Sequence, residues 1–82
     1  MKYFVYAIAS YKYRKFKTYV GYTQNLKKRL QLHNIGKGAK STRGRKWKFI
    51  FIKKFNSKKK AMSHEYFFKK NRKFRKQLRA KF

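Results

Sequence analysis

The chain has 82 residues, of which 27 are lysine or arginine and one, Glu65, is acidic, so the formal net charge is +26. This length predicts one domain with a thin core, and the 21% share of aromatic residues argues against disorder. The charge predicts a polyanionic partner, most commonly nucleic acid, and the absence of cysteine excludes disulfides, thiolate zinc sites and cysteine nucleophiles.

The predicted elements begin with a hairpin. Tyr3 to Ala9 is short, aromatic and apolar on both alternating faces, which is typical of a buried strand. Ser10 to Lys17 is polar and basic and predicts a connection. Thr18 to Gly21 then predicts a second short strand, the return arm of the hairpin.

A first helix is predicted to follow. Residues 23–25 offer N-caps, and residues 34–36 predict its end. Helical spacing places Arg29 near the middle of an otherwise apolar face, where it either extends from the edge into solvent or serves a site. The other members of that face are Leu26, Leu30, Leu32 and His33.

A basic loop with three glycines, residues 36–45, separates this helix from a third strand, Trp47 to Phe55. Alternation places Trp47, Phe49 and Phe51 on one face of that strand, and Ile50 and Ile52 on the other.

The last predicted element is a second helix over Ser57 to Phe74, capped by Asn56 or Ser57. The basic tail from about residue 71 also has helical spacing, with Phe74, Leu78 and Phe82 at i, i+4 and i+8. The order β-β-α-β-α predicts an α+β fold in a single domain, residues 1–82.

Glu65 lies in the second predicted helix, on the side shared by Ala61, Met62 and Phe68. One interpretation is an i,i+4 ion pair with Lys69, which stabilises a helix by about 0.2–0.5 kcal/mol. The other is a metal ligand or a catalytic acid.

The residue inventory excludes several mechanisms. A two-metal nuclease and a glycosidase need more than one carboxylate, a Ser-His-Asp triad lacks its acid, and residues 36–38 lack the Walker spacing. Three hypotheses survive: a single Mg²⁺ held by Glu65, metal-free RNA cleavage by His33 and His64, and binding without catalysis.

Two short motifs, Phe4-Val5-Tyr6 and Tyr19-Val20-Gly21, change the weight of these hypotheses. Further matching segments follow in order: Lys28-Arg29-Leu30, His33-Asn34, Gly36-Lys37-Gly38-Ala39, Thr42-Arg43-Gly44 and Glu65-Tyr66. With them the chain resembles the GIY-YIG nuclease family, in its small single-domain branch, from about Tyr3 to Lys70. Phe4 departs from the pattern, because it stands where the first motif has glycine.

The resemblance implies a three-stranded antiparallel sheet flanked by helices, and a catalytic set of five residues. Tyr6 would be the general base, with its pKa lowered by the positive surroundings, and Tyr19 would orient the attacking water. Arg29 would grip the phosphate with two parallel hydrogen bonds, and Glu65 would bind Mg²⁺ or Mn²⁺. His33 matches a frequent active-site histidine.

The glycine-containing loop is predicted to hold phosphates beside this site, through Lys37, Lys40, Thr42, Arg43 and Arg45. The alternative is a solvated basic surface. Core packing is expected for Trp47 and for the tyrosines outside the motifs, which are Tyr3, Tyr11, Tyr13, Tyr22 and Tyr66.

The sequence therefore predicts a metal-dependent endonuclease of low sequence specificity that acts on DNA, including branched or damaged DNA, with a role in DNA repair. The alternative is a nucleic-acid-binding protein of the same fold with weak or no catalysis. RNA remains an open substrate. We expect a monomer or weak homodimer in the cytoplasm, nucleoid-associated in a prokaryote, with no membrane partner.

Overall fold

The computed structural model of the protein describes residues 2–80, without the side chain of Arg79. The predicted α+β fold is confirmed: three antiparallel strands form a sheet in the order β2-β1-β3, flanked by helices. Phe82, predicted to share a face with Phe74, lies outside the described residues. The elements are β1 (Tyr3–Lys12), β2 (Lys15–Thr23), α1 (Leu26–Asn34), a 3₁₀ turn (Lys40–Thr42), β3 (Lys48–Phe55), α2 (Lys58–Lys70) and α3 (Arg72–Arg79).

The β1–β2 hairpin is longer than predicted, and the prediction of a connection over residues 10–17 is wrong. Antiparallel pairing continues as far as Lys12 opposite Lys15. Only Tyr13 and Arg14 remain for the turn, with φ of 53° and 63°. Two positive φ values suit the right-handed twist of a tight hairpin, and the exposed lysines of the arms reach solvent without opposing the pairing.

A β-bulge in β3 changes which side chains share a face. Ala7 pairs with Phe51 and Ile8 pairs with Phe49, so Ile50 is an extra residue between them. Because one inserted residue reverses the alternation beyond it, Phe49 and Phe51 pack on opposite faces of the sheet. The prediction that Trp47, Phe49 and Phe51 share a face is therefore wrong for Phe51.

Two apolar clusters lie on opposite faces of β1. On one face, Tyr6 and Ile8 pack with Trp47, against Leu26 and Leu30 of α1. On the other face, the core is built from β1, β2 and the second and third helices, through Val5, Ala7, Val20, Ala61, Phe68 and Leu78. The central strand is thus buried on both sides, as its apolar composition predicts, and it presents Tyr6 to α1.

The second predicted helix is divided at Asn71. α2 ends at Lys70, and Asn71 has an extended backbone, with φ of −89° and ψ of 100°. Its side-chain oxygen accepts a hydrogen bond from the backbone N–H of Phe74 at 3.0 Å and so caps α3. The turn brings Phe74 back onto the core, where its ring stacks on Phe68 at 4.1 Å between centroids.

The predicted core role holds for Tyr3 and Tyr22, which pack against the core on the α2 side. It is wrong for three other tyrosines, because Tyr11, Tyr13 and Tyr66 are 60%, 84% and 61% exposed. Trp47 is buried, as predicted. Among the described residues, no helix is long and apolar enough to span a membrane.

Candidate active site

The site is built around the hydroxyl of Tyr6, a fully buried residue of β1 that faces α1. The hydroxyl lies 2.7 Å from Nε2 of His33 and accepts a hydrogen bond from Nε of Arg29 at 3.2 Å. Gly21 lies opposite Tyr6 on β2, and a Cβ atom there would lie only 2.6 Å from the hydroxyl. The space that the Tyr6 hydroxyl occupies therefore depends on this glycine.

The other ring nitrogen of His33 extends the network. Nδ1 lies 3.0 Å from Oγ1 of Thr42, and this hydroxyl donates to the backbone carbonyl of Ala39 at 3.0 Å. Since the Thr42 proton is directed to Ala39, its oxygen accepts from Nδ1–H, which fixes the tautomer of a neutral ring. Nε2 then has a free lone pair, so Tyr6 donates to it.

Local structure explains this arrangement. Asn25 caps α1 by accepting from the backbone N–H of Lys28 at 3.1 Å, and it thereby sets where the helix begins. Arg29 and His33 are four residues apart, so both side chains point from one face of the helix towards Tyr6.

The loop after α1 closes around the His33 ring. Trp47 holds the 3₁₀ turn by donating from Nε1 to the backbone carbonyl of Thr42 at 2.8 Å. Gly38 packs directly on the ring, so that a methyl group at this position would overlap His33. The backbone of the loop therefore lies against the histidine, and not only at the surface.

Burial controls the protonation of His33. Loss of hydration, followed by the positive charge of Arg29, lowers the pKa of His33 from 6.5 to about 4. The ring is therefore neutral at neutral pH, in agreement with the tautomer that the hydrogen bonds define.

The pKa of Tyr6 shifts in the direction opposite to the one expected. Burial raises it above its usual value of 10.0, because the phenolate would lose its hydration. The hydrogen bond and the charge of Arg29 lower it, but by less than burial raises it. The expectation that the positive surroundings produce a low Tyr6 pKa is therefore wrong, since most of the 27 cationic side chains lie in solvent and are screened.

Tyr19 and Glu65 complete the surroundings. The Tyr19 ring lies 5.0 Å from that of His33 and 6.5 Å from that of Tyr6, between centroids. Glu65 Oε1 lies 3.2 Å from Nζ of Lys69, the i,i+4 pair considered from the sequence, and this ammonium is 5.4 Å from the centre of the Tyr19 ring. The edge of α2 therefore brings the carboxylate to the Tyr19 side of the site.

The two histidines are not brought together. His33 contacts Tyr6 and Tyr19 on the α1 side of the sheet. His64 packs against Phe55 at 4.5 Å on the other side, with Nδ1 3.0 Å from the carbonyl of Lys60. A ribonuclease mechanism that shares acid and base between them is not assembled by this fold.

The predicted phosphate-holding residues lie in three different environments. Lys37, Lys40 and Arg43 are exposed, and Arg45 donates to the backbone carbonyls of Ser10 and Lys15 at 3.3 Å, which ties the loop to the hairpin. Thr42 is fully buried and bonded to His33. A surface contact to nucleic acid through the Thr42 hydroxyl is thus corrected to a contact that orients the histidine.

The protein offers one carboxylate side chain, Glu65, as a metal ligand. Residues 2–80 contain no group of three or more His, Cys, Asp or Glu side chains that would enclose an ion. Mg²⁺ binds in many enzymes through one or two carboxylates, with water and substrate phosphate as the remaining ligands. Glu65, with 20% of its side chain exposed, provides one such carboxylate.

Sequence reasoning missed the structural roles of Thr42, Gly38 and Gly21. Thr42 and Gly38 lie in the loop that follows His33, and that position was the one signal in the sequence. Their contacts with the histidine ring, and that of Gly21 with Tyr6, are visible only in the folded structure.

Residues 2–78 match the family pattern of the GIY-YIG catalytic domain. The chain therefore belongs to the GIY-YIG family, a family of nucleases, as the sequence motifs indicated. Relatives include UPF0213 protein OB0043 of Oceanobacillus iheyensis, 51% identical over 59 residues, which cover 71% of this chain and 69% of the relative. UPF0213 protein YazA of Bacillus subtilis is 48% identical over 61 residues, 73% of this chain and 62% of the relative.

A solved structure shows the same similarity over almost the whole chain. The solution NMR structure of UPF0213 protein BH0048 from Bacillus halodurans is 38% identical, with a TM-score of 0.52. The match covers 98% of this chain and 84% of that one. Among the first relatives by sequence, the aligned part spans 55% to 69% of their own length.

Proposed function

We propose that this protein is a metal-dependent endonuclease that hydrolyses phosphodiester bonds in DNA with low sequence specificity. The proposal rests chiefly on the directed hydrogen-bond chain from Arg29 through Tyr6 and His33 to Thr42. Each donor in that chain has an acceptor, and the chain connects the buried Tyr6 hydroxyl to Arg29, the member of the network that lines an open cavity.

The raised pKa of Tyr6 determines how the base works. A phenolate is not available beforehand, so Tyr6 takes a proton from the attacking water while it passes its own proton to Nε2 of His33. The water oxygen forms a bond to phosphorus, the bond from phosphorus to the leaving oxygen breaks, and that oxygen is then protonated by solvent. The net base is the neutral His33, and Tyr6 relays the proton.

His33 has to become more basic for this step. In the free protein, burial and the charge of Arg29 hold its pKa at about 4. A bound phosphate brings negative charge beside Arg29 and offsets its effect on the ring. Substrate binding thus moves the pKa of His33 upward by removing the smaller of the two causes that lower it, which is the direction that the proton transfer needs.

Arg29 is placed to serve both the base and the substrate. Its Nε bonds to Tyr6, and a guanidinium carries further N–H donors for phosphate oxygens. Arg29 also lines an open cavity of about 410 Å³, together with Tyr22 and Lys58. The scissile phosphate would enter here, where two cations, Arg29 and Lys58, line the same cavity.

Glu65 would hold Mg²⁺ or Mn²⁺, whose contribution is to stabilise the negative charge that develops on the leaving oxygen. In the free protein the carboxylate is paired with Lys69. Lys69 therefore competes for the oxygen that a metal would use, and its ammonium becomes available to a phosphate when the pair opens.

Low sequence specificity follows from the charge, and a DNA substrate, branched or damaged, is part of the same proposal. Contacts from lysine and arginine to the phosphate backbone carry no information about base sequence. A role in DNA repair and a cytoplasmic, nucleoid-associated location are part of the same proposal, as is a single catalytic domain over residues 1–82.

The test is cleavage of linear and branched DNA by the purified protein with Mg²⁺ and with EDTA. We expect Glu65→Gln to abolish cleavage and to keep DNA affinity, because one ligand charge is lost without added bulk. Loss of the exposed Lys69 pair should reduce the free energy of unfolding by less than about 0.5 kcal/mol. Tyr6→Phe should reduce the rate about 10²- to 10⁴-fold.

The matched control for Glu65→Gln is Lys59→Gln, which changes an exposed side chain in the first turn of α2 and leaves the Glu65–Lys69 pair in place. It should keep full activity. Cleavage that persists in EDTA and in Glu65→Gln would contradict the metal site, and binding without cleavage in any variant would identify a nucleic-acid-binding protein of the same fold.

A further inference from the structure

α2 carries large apolar side chains that the fold leaves in solvent. Met62, Tyr66 and Phe67 are 47%, 61% and 57% exposed. Their spacing of i, i+4 and i+5 places them away from Ala61 and Phe68, which face the core. Met62 and Tyr66 lie on consecutive turns, Tyr66 and Phe67 line one groove, and exposed apolar surfaces of this kind commonly bind a partner.

The shape of this surface suits flat groups. One groove of about 300 Å³ is lined by Tyr66, Phe67, Lys70 and Asn71. A second groove of about 350 Å³ lies against Phe67 beside Ser63 and His64. Phe67 therefore stands between two largely apolar grooves, each with a polar side chain at its margin, which is suitable for planar rings that carry polar edges.

The positive charge around the surface indicates which planar rings would bind there. Nζ of Lys70 lies 4.6 Å from the centre of the Tyr66 ring, and Lys69 lies one residue earlier. The one acidic side chain of the sequence, Glu65, is paired with Lys69. A second copy of this chain would bring another +26 to the contact and would be repelled. Aromatic faces with a cationic margin are the chemistry of single-stranded nucleic acid binding.

The surface also adjoins the proposed site. Tyr66 directly follows Glu65, and the Lys69 ammonium extends from the same helix to within 5.4 Å of the Tyr19 ring centre. A strand whose phosphates reach Lys69 from the site would therefore pass along the edge of α2 next to Tyr66, where the bases of neighbouring nucleotides could meet the exposed rings.

We propose that Tyr66 and Phe67 form a stacking platform for unpaired bases of the nucleic acid substrate, an inference that rests on the proposed function. Bases inside a continuous duplex are already stacked and paired, so they do not reach this platform. The preferred substrate then carries a single-stranded segment beside the cleaved bond, as in a flap, a fork or a gap.

The experiment measures binding and does not need catalysis. The affinity of the wild-type protein and of the Tyr66→Ala/Phe67→Ala variant is measured by fluorescence anisotropy, for a single-stranded oligothymidylate and for an abasic strand of equal length. Loss of base stacking should weaken binding of the oligothymidylate by about 10- to 100-fold. Binding of the abasic strand, which keeps every phosphate, should be unchanged.

Tyr13→Ala is the matched control. Tyr13 is 84% exposed at the hairpin turn and also has a lysine over its ring, Nζ of Lys12 at 5.1 Å. Its replacement should leave both affinities unchanged. Circular dichroism of each variant verifies that the fold is kept, as the exposure of these side chains predicts.

Three results would overturn the platform. An equal loss of affinity for the abasic strand would assign the effect to general phosphate binding, and an unchanged affinity for both strands would show that no base stacks there. A wild-type dimer that dissociates in the double variant would assign the surface to a second copy. A wild-type protein that binds neither strand would instead contradict the proposed function, because a nuclease of this kind has to bind nucleic acid.

Discussion

At the scale of single residues, the site depends on a proton that is held in a defined place. Thr42 directs its proton to Ala39, His33 is neutral with hydrogen on Nδ1, and Tyr6 donates to Nε2. No buried side-chain nitrogen or oxygen within residues 2–80 lacks a hydrogen-bond partner. This complete pairing gives the buried network one preferred protonation state, which is the state that the proposed relay through Tyr6 needs.

The depressed pKa of His33 predicts how stability depends on pH. Above pH 6.5 the ring is neutral in the folded and the unfolded chain, so its contribution is fully present. As the pH falls from 6.5 to about 4, the unfolded chain takes up a proton that the folded protein resists. The free energy of unfolding should therefore decrease by about 2–3 kcal/mol across this window, as measured by urea unfolding.

Two variants test whether His33 causes that pH dependence of stability. His33→Gln should be less stable but nearly independent of pH in this window, whereas His64→Gln should keep the wild-type slope. A wild-type protein whose stability is flat between pH 6.5 and 4 would show that the buried ring is not the neutral group described.

At the scale of elements, the β1–β2 hairpin and α1 each contribute part of the site. α1 supplies Arg29 and His33 from one face, and the hairpin supplies Tyr6 together with the space that Gly21 leaves open. The glycine of the second motif has an ordinary backbone conformation, so its role is close approach and not flexibility.

Gly21→Ala tests this close approach. The new methyl group would lie 2.6 Å from the Tyr6 hydroxyl and 3.1 Å from the Tyr19 ring, and the Tyr6 ring is fully buried among its neighbours. We expect overpacking to cost about 1–3 kcal/mol of unfolding free energy and to displace Tyr6 from His33. NMR chemical shifts of the His33 ring nitrogens and the cleavage rate would both report this displacement.

Gly44→Ala is the comparison within the same chain. Gly44 has φ of +77° and no neighbouring atom within 4 Å of an added Cβ, so its replacement strains the backbone without entering the site. It should cost about 1–2 kcal/mol and leave the His33 shifts unchanged. Wild-type shifts in Gly21→Ala would show that the hairpin does not confine Tyr6.

At the scale of the whole molecule, charge and size oppose each other. A chain of 82 residues has a thin core. Its 27 cationic side chains, against one acidic side chain, repel one another across the surface. The repulsion lowers the stability of the folded protein, and the same charge attracts a polyanion such as nucleic acid.

Added salt should therefore stabilise the protein. Raising the ionic strength from about 0.01 M to about 0.15 M shortens the screening length from about 30 Å to about 8 Å, which weakens the repulsion between surface cations. The melting temperature, followed by circular dichroism, should rise by several degrees. A variant with three exposed lysines replaced by glutamine should show a smaller rise, and an unchanged melting temperature in the wild type would show that repulsion does not limit stability.

The sequence alone determined the features that depend on composition and local pattern. The +26 charge, the single carboxylate Glu65 and the α+β class were accessible because charge counts, caps and side-chain periodicity are local properties. The folded contacts decided the rest. The Ile50 bulge, the pairing of His33 with Thr42 and the exposure of Tyr66 depend on how separate elements pack together. The direction of the Tyr6 pKa shift belongs with these contacts, because burial in a particular place outweighs the charge of the chain as a whole.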